Sequence, residues 1–402
     1  MPRDLQRGAK YLIPCYTDSH PISRKVPSMD VQIKEVTTLR ELKTFIRFPY
    51  SLYKGNPCWV PSLEFDELNT LRRDKNPAFE HCEAKYWLAY RDGHIVGRVA
   101  AILNQKHIEK WGERYIRFGW LDFIDDPSVS EALIKTVESW ALEKGMSAVH
   151  GPLGFTDMDK EGLLIEGFDK LSTLATIYNH PYYVTHLEKL GYQKDTDWVE
   201  YEIIVPSEPN ETIARIADIA LRRNKLTLLN LRNKKDLLPY TRELFQLLGE
   251  AYANLYGFVP LSEKQVDAYI KQYFDFVTPD FVPIVTDQQG RIVGLGIVMP
   301  SLSKALQKAH GRLFPFGFIH VLRALKKNDR ADLYLVAVKA QYQGKGVNAI
   351  LMNKMNQVFL KLGITIVESN PELETNANVQ GQWKYYERRQ HKRRRCFIKH
   401  LG

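Results

Sequence analysis

The run Gln341-Tyr-Gln-Gly-Lys-Gly346 constrains this chain more than any other stretch. Before it, Leu333-Tyr-Leu-Val-Ala-Val338 is apolar and β-branched, the signal of a strand. After it, Val347, Ile350, Leu351, Met355, Val358, Phe359 and Leu362 fall at the i, i+3, i+4 spacing of one buried helix face. The local reading is strand, Gly-rich turn, helix. Gly344 and Gly346 let the backbone turn tightly and approach a ligand with no Cβ in the way. The first N–H groups of the helix have no intrahelical partner and sit at the positive end of its dipole, so such a turn binds phosphate or pyrophosphate. The alternative is a tight turn without a ligand. Two other loop types are excluded: there is no Gly-x-Gly-x-x-Gly, and Gly344-Lys345 lacks the Ser/Thr and upstream Gly of a Walker A loop.

Gln-x-x-Gly-x-Gly between a strand and a helix resembles the acyl-CoA pyrophosphate loop of the GCN5-related N-acetyltransferase (GNAT) superfamily. The resemblance implies an α+β fold (α/β mixed), a mostly antiparallel mixed sheet flanked by helices. It implies acyl-CoA, acetyl or longer, as co-substrate, and no metal. The CoA-binding residues would be Val336, Ala337 and Val338 on the strand, then Gln341, Gln343, Gly344, Lys345, Gly346 and Val347. Four dispersed cysteines (15, 58, 82, 396), with no Cys-x-x-Cys, likewise argue against a structural zinc and for a reducing cytosol.

At 402 residues the chain predicts two or three domains, and no run reaches the ~20 apolar residues of a membrane span. Residues 1–28, Pro-rich and without an apolar core, read as a disordered extension and not a secretory signal. A first lobe spans 29–205 and a second 206–402. Gly93-His-Ile-Val-Gly97 and Gly290-Arg-Ile-Val-Gly294 match, each in a hairpin, and Glu131-Ala-Leu-Ile134 lines up with Asn348-Ala-Ile-Leu351. Two matches in the same order suggest a tandem duplication with an insertion at 301–330 in the second copy. Where the second copy has its Gly-rich loop, the first has Ile124-Asp-Asp-Pro-Ser-Val129, whose carboxylates suit an unliganded helix start and repel a pyrophosphate. Only the second lobe is expected to bind CoA.

Acyl transfer from a thioester to an amine needs a proton acceptor, a polarised carbonyl and a protonated leaving thiolate. Backbone N–H groups around Ala337–Val338 would polarise the carbonyl. Glu368, near the end of the next strand, is the first choice for the base and Glu374 the second; each also reads as a solvated loop acid. Tyr385, seven residues after Asn378, resembles the superfamily's Asn-to-Tyr spacing and is the candidate acid. On the acceptor side stand Asp159 and Glu161, in a Gly-rich acidic stretch, with Asn179 and Tyr182 of Asn179-His-Pro-Tyr-Tyr183, and Asn376.

Nearly everything after Met29 is similar to a family of two-lobed bacterial acetyltransferase-like proteins. Its marks are Leu52-Tyr-x-x-Asn-Pro-x-Trp-Val-Pro61, Asn76-Pro-x-Phe-x-His81, Glu161-Gly-Leu-Leu-x-x-Gly167 and Glu368-x5-Glu374-x-Asn376. Some members resemble proposed bacterial ceramide synthases, which implies a primary amine acceptor with a long apolar chain. Ser301–Asn328 has no acidic residue and carries Lys304, Lys308, Arg312, Arg323, Lys326 and Lys327 among apolar neighbours. That pattern fits a peripheral membrane segment at the inner face of the membrane, or a packed helix pair with a solvated basic face. The net charge of +9 suits any anionic partner. The densest basic run, Arg388-Arg-Gln-His-Lys-Arg-Arg-Arg395, reads as a solvated edge strand. The competing function is a GNAT-fold protein without activity that binds a membrane surface or, through that run, nucleic acid.

Overall fold

The computed structural model describes residues 30–402; the expected extension at 1–28 lies outside them. The first half runs β1 (Gln32–Glu35), α1 (Leu39–Leu52), α2 (Glu64–Leu71), β2 (Cys82–Arg91), β3 (His94–Asn104), α3 (Gln105–Trp111), β4 (Tyr115–Phe123), α4 (Pro127–Glu143), β5 (Ala148–Gly151), β6 (Leu163–Glu166), α5 (Tyr182–Lys189) and β7 (Gln193–Ile204). The second runs α6 (Glu211–Arg223), β8 (Thr227–Leu228), α7 (Thr241–Tyr252), α8 (Glu263–Tyr273), β9 (Ile284–Thr286), β10 (Ile292–Pro300), α9 (Ser303–Ala309), α10 (Gly317–Lys326) and β11 (Arg330–Val338). It closes with α11 (Val347–Leu362), β12 (Ile366–Ser369), β13 (Glu372–Leu373), α12 (Ala377–Gln380) and β14 (Arg388–His400). Local chemistry starts these elements where the sequence signals them. Thr38 and Glu41 form a capping box at α1, and Asp92-Gly93, both at positive φ, turn β2 into β3.

One sheet runs through both halves in the order β1-β2-β3-β4-β5-β14-β7-β12-β11-β10-β9-β8. It is antiparallel except at β4–β5 and β11–β12. The halves exchange their last strands: β14 pairs with β5, while β7 pairs with β12. The expected boundary near 205 falls in the link from β7 to α6, but the sheet does not divide there. The basic run is therefore not a solvated edge throughout. It forms the first part of β14, paired along its length with β7; Arg388–Gln390 remain exposed, while Arg393–Arg395 lie between β7 and β6. Arg394 is fully buried against the Glu200 carboxylate, 2.5 Å away, and Arg395 pairs with Asp197 at 2.8 Å. Both acids lie on β7.

The duplication is visible in packing. A Cβ on Gly97 would lie 3.1 Å from Val129 Cγ1, and one on Gly294 would lie 2.4 Å from Val347 Cγ1. Each glycine admits the helix that follows the next strand. Val129 and Val347 are thus equivalent, as are buried Leu133 and Leu351, Val137 and Met355, Ala141 and Phe359. This register differs by one residue from the Glu131/Asn348 alignment, because the shared glycine contact fixes the helix and a four-residue identity does not. Gly294→Ala is expected to destabilise the fold by about 1–3 kcal/mol through overpacking. Gly381→Ala, with open space around its Cβ, is the control in denaturant titration, and equal losses would contradict the packing account.

Candidate active site

The mouth of α11 is open. Gly346 caps it in the left-handed region (φ 83°) with no side-chain cap, so the N–H groups of Val347, Asn348 and Ala349 have no intrahelical acceptor. Gly344 (φ 71°) is exposed, with no atom within 4 Å of where a Cβ would stand, whereas a Cβ on Gly346 would lie 2.8 Å from that of Ala220 on α6. Side chains brace the loop from outside: Asn224 Nδ2 donates to the Lys345 carbonyl (3.1 Å) and Gln343 Nε2 to the Val338 carbonyl (3.2 Å). The equivalent mouth of α4 is closed. There the Asp126 carboxylate accepts from Ser128 N–H (2.9 Å) and pairs with Arg91 (2.6 Å), which holds it below the usual carboxylate range.

Next to the open mouth the sheet parts. β11 and β12 pair only from Arg330↔Ile366 to Leu333↔Ser369, while β11 continues to Val338. The chain then leaves through Asn370-Pro371, with Asn370 N–H donating to the Leu333 carbonyl (3.0 Å) and Nδ2 to that of Tyr334 (3.2 Å). A cavity of about 230 Å³ fills the gap, between Leu333–Val336, Met352 and Met355 on one side and Ser369–Leu373 and Tyr386 on the other. The Tyr252 hydroxyl donates to the Val336 carbonyl (3.1 Å) and accepts its N–H (3.4 Å). Val336 therefore faces the gap, and strand alternation turns the backbone groups of Ala337 toward β10. Of the expected pair at 337–338, only Val338 shares the face of Val336.

A second, larger cavity of about 400 Å³ lies between the halves. Its wall is largely apolar and aromatic: Tyr50, Trp59 and Trp120 from the first half, Leu244, Tyr269 and Leu306 from the second. The two cavities share Asp157, Glu161, Tyr334, Leu335, Asn370 and Pro371. The surface that Asp157 and Glu161 keep uncovered faces the cavities. Burial raises the Asp157 carboxyl to about 7; burial, and then the charge of Asp157, lifts Glu161 well above the carboxylate range. Buried Arg117, bound to the Gly154 and Gly257 carbonyls, opposes both shifts.

The sequence-derived site residues divide into three groups. Glu161 and Asn376 line the first cavity, and Asp159 and Glu161 the second. The Asp159 carboxylate accepts from the N–H groups of Phe155 (2.8 Å) and Thr156 (3.1 Å), and burial still raises it to about 6. Glu368, Glu374 and Tyr385 line neither cavity. Glu368 is buried against Lys392, with His391 Nε2 at 3.4 Å; burial favours its neutral form, but the Lys392 ammonium outweighs this and, with His391, keeps it below the usual range. Glu374 pairs with Lys194 and Arg393. Tyr385 is turned outward with the Lys384 ammonium 4.9 Å over its ring, while the adjacent Tyr386 enters the first cavity and accepts from Asn356 Nδ2 (2.8 Å). Asn179 and Tyr182 also lie away from both cavities. Asn179 holds both backbone groups of Leu164 (2.7 and 3.0 Å), and the Tyr182 hydroxyl donates to the Phe123 carbonyl.

Asp157 and Tyr252, which line the first cavity, are not among the residues singled out from the sequence. Asp157 stands four residues before Glu161 in the same acidic loop, a signal that was available. Nothing local marks Tyr252, on α7, as a partner of β11.

Residues 242–391 match the model of the acetyltransferase (GNAT) family. The chain is 29% identical over 371 residues to Protein YghO of Escherichia coli (strain K12), covering 90% of this chain and 93% of that protein. It is 28% identical over 360 residues to the bacterial ceramide synthase of Caulobacter vibrioides (strain NA1000 / CB15N), with 86% and 91% covered. Among solved structures, a tandem GNAT protein from the clavulanic acid biosynthesis pathway aligns with 93% of this chain and 99% of its own, at a TM-score of 0.54 and 11% identity, a likeness of fold alone.

Proposed function

The chain is a two-lobed protein of the GNAT superfamily, and from that premise we propose that it moves an acyl group from CoA directly to a primary amine carrying a long apolar chain. The observation that carries this reading is the meeting of a strand gap and a large apolar cavity at two half-buried carboxyls. The donor's diphosphate sits at the mouth of α11, on the N–H groups of Gly344, Gly346 and Val347. The thioester enters the gap beside Val336 and Val338; the Val336 N–H is held by Tyr252, so the Val338 N–H on the same face polarises its carbonyl. The acceptor's chain fills the second cavity, which places its nitrogen at Asp157 and Glu161. The relative from Caulobacter vibrioides, described as a ceramide synthase, agrees with a lipid amine acceptor. The inner face of a membrane is where such an acceptor would be met.

An amine near pKa 10 arrives as an ammonium ion. Facing it, one of the two carboxyls gives up its proton to solvent and takes one from the nitrogen. The nitrogen lone pair attacks the carbonyl carbon and the C–N bond forms; the C–S bond then breaks, and the second nitrogen proton passes through a hydroxyl to the departing thiolate, leaving the amide and free CoA. Tyr386 suits that last step, because Asn356 donates to its oxygen and leaves its own O–H free; burial raises it to about 12, so it stays protonated at neutral pH. No nucleophilic side chain is needed.

The direct test is mass spectrometry of reactions with palmitoyl-CoA or acetyl-CoA and a long-chain or short-chain primary amine. Amide and free CoA appearing in equal amounts, and preferentially with the long-chain amine, is the expected result; thioester hydrolysis alone contradicts the reading.

The carboxyl pair also sets two pH dependences. The base must be ionised, so kcat/KM falls as pH drops through about 7, and Asp157→Asn moves that limb to lower pH by removing a charge that opposes ionisation of Glu161. Stability moves the other way. The folded chain holds a proton on Asp157 between its unfolded value, near 3.8, and about 7, so it loses stability as pH rises across that window. Asp157→Asn is therefore expected to raise Tm at pH 8 and to leave it little changed at pH 4.

A further inference from the structure

We propose that the tip of the α9–α10 hairpin docks the protein on an anionic phospholipid surface, next to the wall of the second cavity. The tip presents Phe314 and Phe316, 80% and 71% exposed, with Phe318 and Leu322 beside them. Soluble surfaces scatter such side chains singly; here four fall within nine residues. The same segment, Ser301–Asn328, carries six Lys and Arg and no acid, so its own charge has one sign; Glu64 neutralises Arg312. Aromatic side chains with surrounding cations complement the acyl–headgroup boundary of an anionic bilayer.

The hairpin is built to hold that patch outward. Leu302, Ala305, Leu306 and Val321 bury its inner side against Val60 and Leu63. At the bend, Gly311 is packed so closely that a Cβ would lie 2.2 Å from the Tyr50 hydroxyl oxygen, and its carbonyl accepts from Glu64 N–H (2.9 Å). Arg312 pairs with Glu64 at 2.8 Å. Leu302, Leu306 and Val321 also line the second cavity, as does exposed Phe65, next to Glu64. One pair of helices thus walls the cavity on its inner side and presents the apolar patch on its outer side. An amphiphile leaving the membrane would meet the cavity rim at Phe65 with no crossing through bulk water. This inference rests on the second cavity being the acceptor site.

The test is co-sedimentation of the full chain with phosphatidylcholine vesicles, with and without phosphatidylglycerol. Wild type is expected to bind the anionic vesicles and to dissociate at high salt. Phe314→Ser with Phe316→Ser should weaken binding about tenfold or more. Neutralising Arg323, Lys326 or Lys327 should cost about fivefold per charge. Acylation of a short, water-soluble amine by the Phe double variant should match wild type, which separates docking from catalysis. Vesicle binding that the Phe pair does not affect overturns the proposal. So does a dimer, formed without lipid and lost in the double variant, because a second copy would then cover the patch. If vesicle binding behaves as expected and no amine is acylated by either protein, docking stands and the acceptor-site reading fails.

Discussion

Replacing Glu161 by Gln is expected to lower kcat by roughly 10²–10⁴-fold, the usual contribution of a positioned acid–base group. Acyl-CoA affinity should not change. Glu161 lies where the two cavities meet, is linked electrostatically to Asp157, and carries none of the ion pairs that hold Glu368 and Glu374. The substitution is isosteric and removes a half-buried group whose charged form its surroundings disfavour, so folding should not suffer. Glu368→Gln provides the contrast. It should cost stability by freeing Lys392 from its nearest carboxylate, and it should leave the chemical step close to wild type once the protein is folded. If Glu368→Gln abolishes turnover in a folded protein and Glu161→Gln does not, the base belongs on β12 and the two-cavity mechanism is wrong.

The largest expected loss of stability comes from Glu200→Ala. Glu200 is fully buried, binds Arg394 and lies 3.7 Å from Lys392, so its removal leaves Arg394 charged and without a carboxylate. Breaking a buried pair from one side costs about 3–5 kcal/mol, a large share of the roughly 5–15 kcal/mol that holds a typical domain. Because β14 and β7 join the halves through their exchanged strands, probes in either half should report the loss together in denaturant titration. The double change Glu200→Leu with Arg394→Met should recover much of it, since apolar residues of similar size carry no desolvation penalty. A loss below about 1 kcal/mol for Glu200→Ala would mean that water or another partner satisfies Arg394.

What could be read from the sequence was local. The Gly-rich turn, its strand and its helix, the two hairpins with their glycines and the carboxylates at the mouth of α4 all depend on neighbours within a few tens of residues. The exchange of β7 and β14 does not, because strand order is decided by partners far apart in the chain. Arg388–Arg395 looked solvated for the same reason: Glu200 and Asp197, which neutralise it, lie in the other half of the sequence. The position of Glu368 near the end of β12 was legible, but the Lys392 that pairs with it was not. Between Tyr385 and Tyr386 the difference is a single backbone step, and helix spacing could not resolve which ring turns inward. The acidic loop at 157–161 was visible as chemistry. Its place between two cavities was not.

Acyl transfer by this chain requires the open mouth of α11 to hold a diphosphate, and calorimetric titration of CoA into wild type and Gly344→Asp tests this directly. Gly344 is exposed, has open space around it and sits at φ 71°, a conformation that Asp tolerates better than most residues, so the variant should fold. A carboxylate there repels the diphosphate. The expected result is saturable CoA binding by wild type and a loss of about a hundredfold or more in the variant, equivalent to roughly 3 kcal/mol. Equal affinity in the two proteins would contradict it.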